Sequence, residues 1–262
     1  MALRTVEWND ITLCLPPKRA RRRDWKRAFS AFDKLLEDGE DTRQAFEVIE
    51  ALSGPSLMNS FRKFLSRPEG RALFIRREEI APILDDHARL AQLPEGSFGR
   101  AYLTFVLSEG LSAGGLVAES EKVDGYQPPD PKDDFAWYGR RIRDMHDLWH
   151  VLTGYGRDGL GELALLSFTY AQTGSVGAMF IAYMGARAER KHLGLKSAMN
   201  VIWRARRNGR SAAFLPAADL MALLEKPLDQ VRDELRIPPP ALYREVLPDY
   251  EARLNERGLM PA

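Results

Sequence analysis

His146, Asp147 and His150 stand within one short run of the chain, and Glu162 follows after a glycine-rich stretch. On a helix, positions 146 and 150 lie one turn apart and about 40° apart around the axis, so both imidazoles share a face. Asp147, three residues before His150, faces the same arc. Two imidazoles and a carboxylate on one helical face make half of a metal site. Gly154, Gly156, Gly159 and Gly161 separate His150 from Glu162, which makes one continuous helix untenable. The chain is expected to turn there, and Glu162 to open the next, apolar helix, where the helix N-terminus favours its charge. Such a turn can return Glu162 to the imidazoles, giving two nitrogen and two oxygen donors suited to a borderline divalent ion.

Each residue also has a bland reading. A His-x-x-x-His pair on a helix arises often by chance and binds nothing. Here, however, the pair accounts for half of the four histidines. A zincin protease would need Glu after the first histidine, and Asp147 reaches less far. A phosphohydrolase of the His-Asp type needs further His and Asp ligands in a set order, which His87 and Asp219 fill only by force. Arg141 and Arg143 precede His146 by five and three residues. On a shared helix Arg143 falls near the metal face, ready to pair with a substrate carboxylate or with Asp147. A solvated surface arginine is the equal alternative. Asp144 reads either as an acceptor orienting a ligand imidazole or as an exposed charge.

The elements that must hold these residues read as helices nearly throughout. Apolar residues recur at helical spacing over 24–37, 42–52, 56–65, 77–90 and 98–108. Residues 112–133, with Pro128, Pro129 and Pro131, read as a loop between a half 1–111 and a metal-site half 133–262 that share one core. Only 4–12 suggests extended chain. Residues 163–186 carry no charge, long enough for a membrane span. The polar break at Thr173-Gly174 favours two buried helices instead. The fold expected is mostly α: a multi-helix, bundle-like single domain over 1–262 with a buried apolar groove.

Composition narrows the function classes. The chain has 262 residues, 45% hydrophobic and 29% charged, an ordinary folded composition. Its 38 basic and 37 acidic side chains leave a net charge of +1, which argues against nucleic acid as a partner. Cys14, the sole cysteine, excludes an internal disulfide framework, a cysteine zinc ribbon and an iron–sulfur cluster. Residues 1–17 include Glu7 and Asp10 and no apolar run, so a cytoplasmic location is expected. Basic runs over 18–27 and 187–210 read as solvated faces, or as attraction to an anionic membrane surface at about 1 kcal/mol per basic residue.

The spacing His-Asp-x-x-His, eleven residues, then Glu resembles the coenzyme Q (ubiquinone) biosynthesis protein 4 family. LPEGSFGRAYLTFV over 93–106 resembles that family's "LPxGTxGxAYxxFM" region, and Gly70-Arg71 its "xxGRxLL" segment. Arg141 and Arg143 match basic residues ahead of its His-Asp pair. Thr153-Gly154 and Gly161-Glu162 match its "TG…GE" frame. The resemblance spans roughly residues 50–235; the basic run near the N-terminus and residues 203–214 depart from it.

That resemblance implies a mostly helical protein holding a divalent metal, described as zinc, through His146, Asp147, His150 and Glu162. It implies action on prenylated 4-hydroxybenzoate intermediates. The activity is either oxidative decarboxylation at ring carbon C1, with Arg143 as a further catalytic candidate, or organisation of the biosynthetic complex around a structural metal. Iron suits a redox role, because zinc has no redox chemistry. The expected partners are a prenylated quinone precursor, other quinone biosynthesis proteins and the inner face of a membrane, bound peripherally; a homodimer is among the assemblies open to it. An isoprenoid tail needs an apolar groove, which Phe168, Tyr170, Met179, Phe180 and Tyr183 could line, although such a stripe is more often plain core.

Overall fold

The computed structural model describes residues 3–16, 22–39, 41–123 and 128–259. Lys18, Arg19 and Arg21 of the first basic run lie outside the described residues. Where one extended run was expected, a hairpin forms. β1 (Arg4–Trp8) pairs antiparallel with β2 (Ile11–Leu15), with Arg4 opposite Leu15 and Trp8 opposite Ile11. Asn9 and Asp10 make the turn at φ 43° and 65°, the left-handed conformation that two-residue hairpin loops require and that Asn and Asp tolerate.

Helices form where apolar spacing predicts them: α1 (Trp25–Glu37), α2 (Thr42–Ala51) and α3 (Ser56–Leu65). The single helix expected over 77–90 is not present. Instead α4 (Pro68–Arg76) stops at Arg77, left-handed at φ 53°. Two short turns follow, α5 (Ala81–Leu84) and α6 (His87–Leu90). Pro82 removes a donor and clashes with the preceding turn, so it is accommodated in the first turn of α5 rather than inside a longer helix. Beyond α7 (Phe98–Ser108), the expected loop 112–133 contains α8 (Ala113–Glu121). Its glycines disfavour a helix, but its first turn is well capped. Asp85 accepts from the Ala113 and Gly114 amides at 2.8 and 2.9 Å, and Ser112 from Gly115 at 3.0 Å.

The second part of the chain forms α9 (Asp134–Asp144), α10 (His146–Thr153), α11 (Gly159–Thr173), α12 (Val176–His192) and α13 (Ala198–Ser211). Two 3-10 turns, then α14 (Leu228–Glu234) and α15 (Ala241–Glu256), complete it. The uncharged 163–186 stretch is divided as predicted, with Gly174 left-handed at φ 74° between α11 and α12. Among the described residues no single helix is long and apolar enough to cross a membrane. The pair α7–α8 passes by length and composition but is bent by 58°.

α11 lies at the centre, packed between α12 and α13. The main core draws Val48, Phe98, Tyr102, Trp149, Phe168 and Ile202 from both sides of 112–133. A smaller core beneath the hairpin joins Leu13, Phe61, Phe64, Trp137 and Phe214 to Tyr138, whose hydroxyl meets Ser60 Oγ at 2.6 Å. Gly177 lets α12 lie directly on α2: a Cβ there would stand 2.5 Å from Ile49 Cα. The five residues proposed for a groove do not share a wall. Phe168 is in the main core with Met179 partly buried against it, Phe180 packs against Trp25, Phe29 and Phe32, Tyr170 lies under Arg206, and Tyr183 is exposed. Positions 168 and 170 point about 200° apart on a helix, so they cannot line one surface.

α15 closes the structure through two tyrosines. Tyr243 donates to Asp158 and accepts from the Gly156 amide at 3.0 Å. Tyr250 bonds Glu189 on α12. Burial, with the charge of Asp158 added, pushes the Glu189 carboxyl up to about 6, against the opposing bond from Tyr250. A carboxyl raised in the folded state favours folding below its unfolded pKa, and that contribution is lost as pH rises through the folded value. Glu189→Gln is therefore expected to raise stability by about 1–2 kcal/mol at pH 8 and by almost nothing below pH ~4.5. Urea unfolding at the two pH values measures this; an equal effect at both would contradict it.

Candidate metal centre

The site begins at a break. α9 ends at Asp144, and Met145 (φ −84°, ψ −5°) separates it from α10. Arg143 and His146 therefore do not share one helix, as the sequence reading supposed. α10 is buried from Asp147 to Thr153. It stops at Gly154, left-handed at φ 71°, whose amide bonds the His150 carbonyl at 2.8 Å. Only a residue without Cβ takes this conformation readily. The chain then doubles back, and the Tyr155 carbonyl meets His150 Nδ1 at 3.0 Å.

α11 starts from Asp158, whose Oδ1 accepts from the Gly161 amide at 3.0 Å. Gly161 presses on the turn before it: a Cβ there would stand 2.2 Å from Gly156 O. That close approach swings Glu162, in the first turn of α11, onto the imidazole pair. His146 Nε2 and His150 Nε2 are 3.3 Å apart. Glu162 Oε1 lies 3.3 Å from His150 Nε2, and Oε2 lies 3.7 Å from His146 Nε2. Asp147 completes the group, with candidate ligand atoms of His146, Asp147 and His150 all within 4.8 Å of one another.

These atoms suit a cation. A carbonyl oxygen only accepts, so His150 Nδ1 carries the proton and Nε2 is the free donor atom. It faces a second imidazole nitrogen, so a proton or a metal ion must lie between them. Donors at about 2.0–2.1 Å from a tetrahedral ion are ~3.3 Å apart, which is the spacing observed. Two nitrogens and two carboxylates match zinc and other borderline divalent ions. His150 is fully enclosed, whereas His146 and Glu162 keep 27% and 31% of their side-chain surface exposed, leaving a path from solvent.

The electrostatics follow from that arrangement. Burial alone would push the Glu162 carboxyl up, but His150 and His146 outweigh it and hold it well below the usual range. Burial opposes charge on His150, yet Glu162, the Tyr155 carbonyl and Asp147 raise it on balance. The Tyr102 hydroxyl is buried without a hydrogen-bond partner. Burial first, then Asp147, Asp85 and Asp144, push that phenol up, so a neutral O–H is kept in the field of a candidate ligand carboxylate.

Three neighbours escaped the sequence reading. Phe105 on α7 stacks on His150 with ring centroids 5.5 Å apart and 24° between planes. Arg157 Nε lies 3.7 Å from Glu162 Oε1, and its Nη1 lies 3.8 Å from Glu109 Oε2. Arg157 sits inside the glycine run, a signal that was there to use; nothing local marks Phe105 or Glu109, which arrive by packing. Arg143 is engaged elsewhere: its Nε bonds Asp144 at 2.7 Å and its Nη1 bonds Ser120 Oγ at 2.9 Å. Asp144 is buried rather than exposed, and its partner is that guanidinium rather than an imidazole. Arg141 is buried too and ties down the Pro216 and Ala218 carbonyls at 3.1 and 2.8 Å, with burial pushing it down to about 10. Neither His87 nor Asp219 joins the group; Asp219 bonds Arg76 at 2.7 Å and His192 ends α12.

Residues 28–241 match the family described as coenzyme Q (ubiquinone) biosynthesis protein Coq4. The chain is 32% identical over 202 residues to the mitochondrial ubiquinone biosynthesis protein COQ4 homolog of Bos taurus, covering 76% of this chain and 73% of that one. Against the Danio rerio homolog it is 32% identical over 182 residues, 68% of this chain. That match spans just under two thirds, 64%, of the Danio rerio protein. A crystal structure of a candidate ubiquinone biosynthesis protein from Nostoc punctiforme superposes with a TM-score of 0.62, covering 82% of this chain and 98% of that one at 22% identity, a likeness of fold. The chain belongs to the coenzyme Q (ubiquinone) biosynthesis protein Coq4 family.

Gly161 gives the geometry a direct check. Gly161→Ala must push α11 away from the Gly156 turn and carry Glu162 with it. Overpacking of this kind costs about 1–3 kcal/mol, and displacing one donor is expected to weaken zinc binding by about tenfold or more. Zinc titration against a competing chelator reads the affinity, and wild-type affinity in the variant would contradict the geometry.

Proposed function

We propose that this family member acts in coenzyme Q biosynthesis as a metal-dependent enzyme for C1 oxidative decarboxylation of a polyprenylated 4-hydroxybenzoate-type intermediate. The observation that supports this reading is the grouping of His146, Asp147 and His150, with Glu162 3.3 and 3.7 Å from the two imidazoles on a partly open side. These four side chains would hold the ion, zinc by family likeness, with iron or another divalent metal as the alternative. A bound divalent ion supplies positive charge to draw in a ring carboxylate or phenolate oxygen and to stabilise negative charge as it develops.

The chain's own residues do the rest. The Tyr155 carbonyl and the Phe105 ring hold His150 in one tautomer and one plane. Arg157 brings a partly exposed cation to the rim of the site, placed to orient an anionic ring substituent. Arg143, paired with Asp144 and Ser120, would reach a substrate only by giving up those bonds, so it acts in this reading as a support for the α8–α9 contact. The net change converts ring carboxylate and water to ring hydroxyl, carbon dioxide, a proton and two electrons. An external two-electron acceptor must take those electrons, since zinc cannot.

A second reading has its own support. Four protein groups on one ion can fill a tetrahedral shell, which is the habit of a structural site. The protein would then be a lipid-binding scaffold that organises the other quinone biosynthesis proteins. In either case the described chain works as one unit, at the inner face of an anionic membrane, with its basic residues supplying peripheral attraction.

Glu162→Gln and His150→Ala separate the readings. Metal content is measured on protein purified without chelator or metal-affinity resin, and turnover on a prenylated 4-hydroxybenzoate. The enzyme reading expects at least a hundredfold loss of turnover in both variants, with melting temperature and complex assembly retained. Undiminished quinone synthesis in both variants would end it.

A further inference from the structure

At the far end of α11 from Glu162 lies a cavity of about 310 Å³ between α3, the last turn of α11 and α13. Gln172, on its wall, is ten residues beyond Glu162, about 15 Å along the helix. Lys63, Arg206 and Arg210 reach into it, and no acidic residue lines it. Among the described residues these three cations make no ion pair or side-chain hydrogen bond. The sequence explains why no counter-charge is near: α3 has no acidic residue, and none occurs between Glu189 and Asp219.

Two of the cations are held in place without being neutralised. Arg206 lies over the rings of Tyr170 and Trp203, at 5.0 and 5.4 Å, and Lys63 Nζ lies 4.0 Å over Phe214. The Arg206 Nε is buried with no partner, a donor that folding has desolvated and left unused. Burial, and then the nearby Arg67, push the Lys63 ammonium down. The negative end of the α11 dipole amounts to about half a charge, too little to balance three cations.

We propose that this cavity is an anion site for a phosphate group, separate from the metal centre. Three cations, two of them on aromatic supports, with the partnerless Arg206 Nε–H beside them, match the charge and the several acceptor oxygens of a phosphate or diphosphate. The group could be carried by a free phosphate compound or by a phospholipid headgroup, and the same residues would grip either.

Calorimetry of the full-length protein with inorganic diphosphate tests the site. Binding is expected in wild type, with at least a tenfold loss in the double variant Lys63→Gln/Arg206→Gln and retention in Arg206→Lys. Because diphosphate also binds metals, His150→Ala serves as the control and is expected to bind as wild type does. Melting temperature without ligand reports folding; Arg210→Gln, at the exposed rim, repeats the test if the double variant does not fold. Flotation with phosphatidylcholine vesicles, with and without phosphatidic acid, identifies the carrier: capture lost in the double variant assigns a lipid headgroup, and binding of soluble diphosphate alone assigns a free ligand. No binding of either probe at millimolar concentration, undiminished binding in the double variant, or loss in His150→Ala would each overturn the proposal.

Discussion

The hydrogen bond from His150 Nδ1 to the Tyr155 carbonyl, 3.0 Å long, does two things at once. It closes the turn that ends α10, and it decides which nitrogen of the buried imidazole is free. Without it, His150 Nε2 could carry the proton and would repel rather than bind a cation. With it, Nε2 is the atom turned toward Glu162 and His146, where a proton or a metal ion is held. The left-handed Gly154, bonded to the same residue's carbonyl at 2.8 Å, makes that turn possible.

Much of the surrounding structure keeps this turn in place. Tyr243 reaches from α15 to grip both Asp158, which caps α11, and the Gly156 amide. The contact of Gly161 with Gly156 sets how far Glu162 leans toward the imidazoles. Arg232 of α14 bonds the Val151 and Leu152 carbonyls at 3.0 Å each, satisfying the end of α10 from the other side. The C-terminal helices thus act on the site without touching it, through the backbone of one short connection. α11 then spans the core, with Glu162 in its first turn beside the imidazoles and its last turn beside the unneutralised cations of α3 and α13.

The sequence made the donor set legible because ligand chemistry restricts residue type and helical spacing together. His146, Asp147 and His150 announce themselves by position, and the glycines before Glu162 announce a turn. α1, α2, α3 and α7 were legible for a similar reason: each buries one apolar stripe. Failures occurred where local pattern and tertiary context disagree. Pro82 and the left-handed Arg77 divide an apparently periodic stretch. α8 stands on glycines because Asp85, distant in sequence, caps it. The break at Met145 has no signature at all, and it redirected Arg143 to Asp144 and Ser120. Aromatic residues at groove-like spacing proved to face in different directions, because two residues on a helix turn through more than half a circle.

X-ray absorption at the zinc edge, on protein loaded with one equivalent of metal, bears most directly on the donor cluster. The geometry predicts a low-coordinate ion with nitrogen and oxygen neighbours at about 2.0–2.1 Å and the outer-ring scattering of two imidazoles. One imidazole should disappear from the spectrum of His146→Ala. An ion surrounded by oxygen alone, with no imidazole signal, would contradict the account.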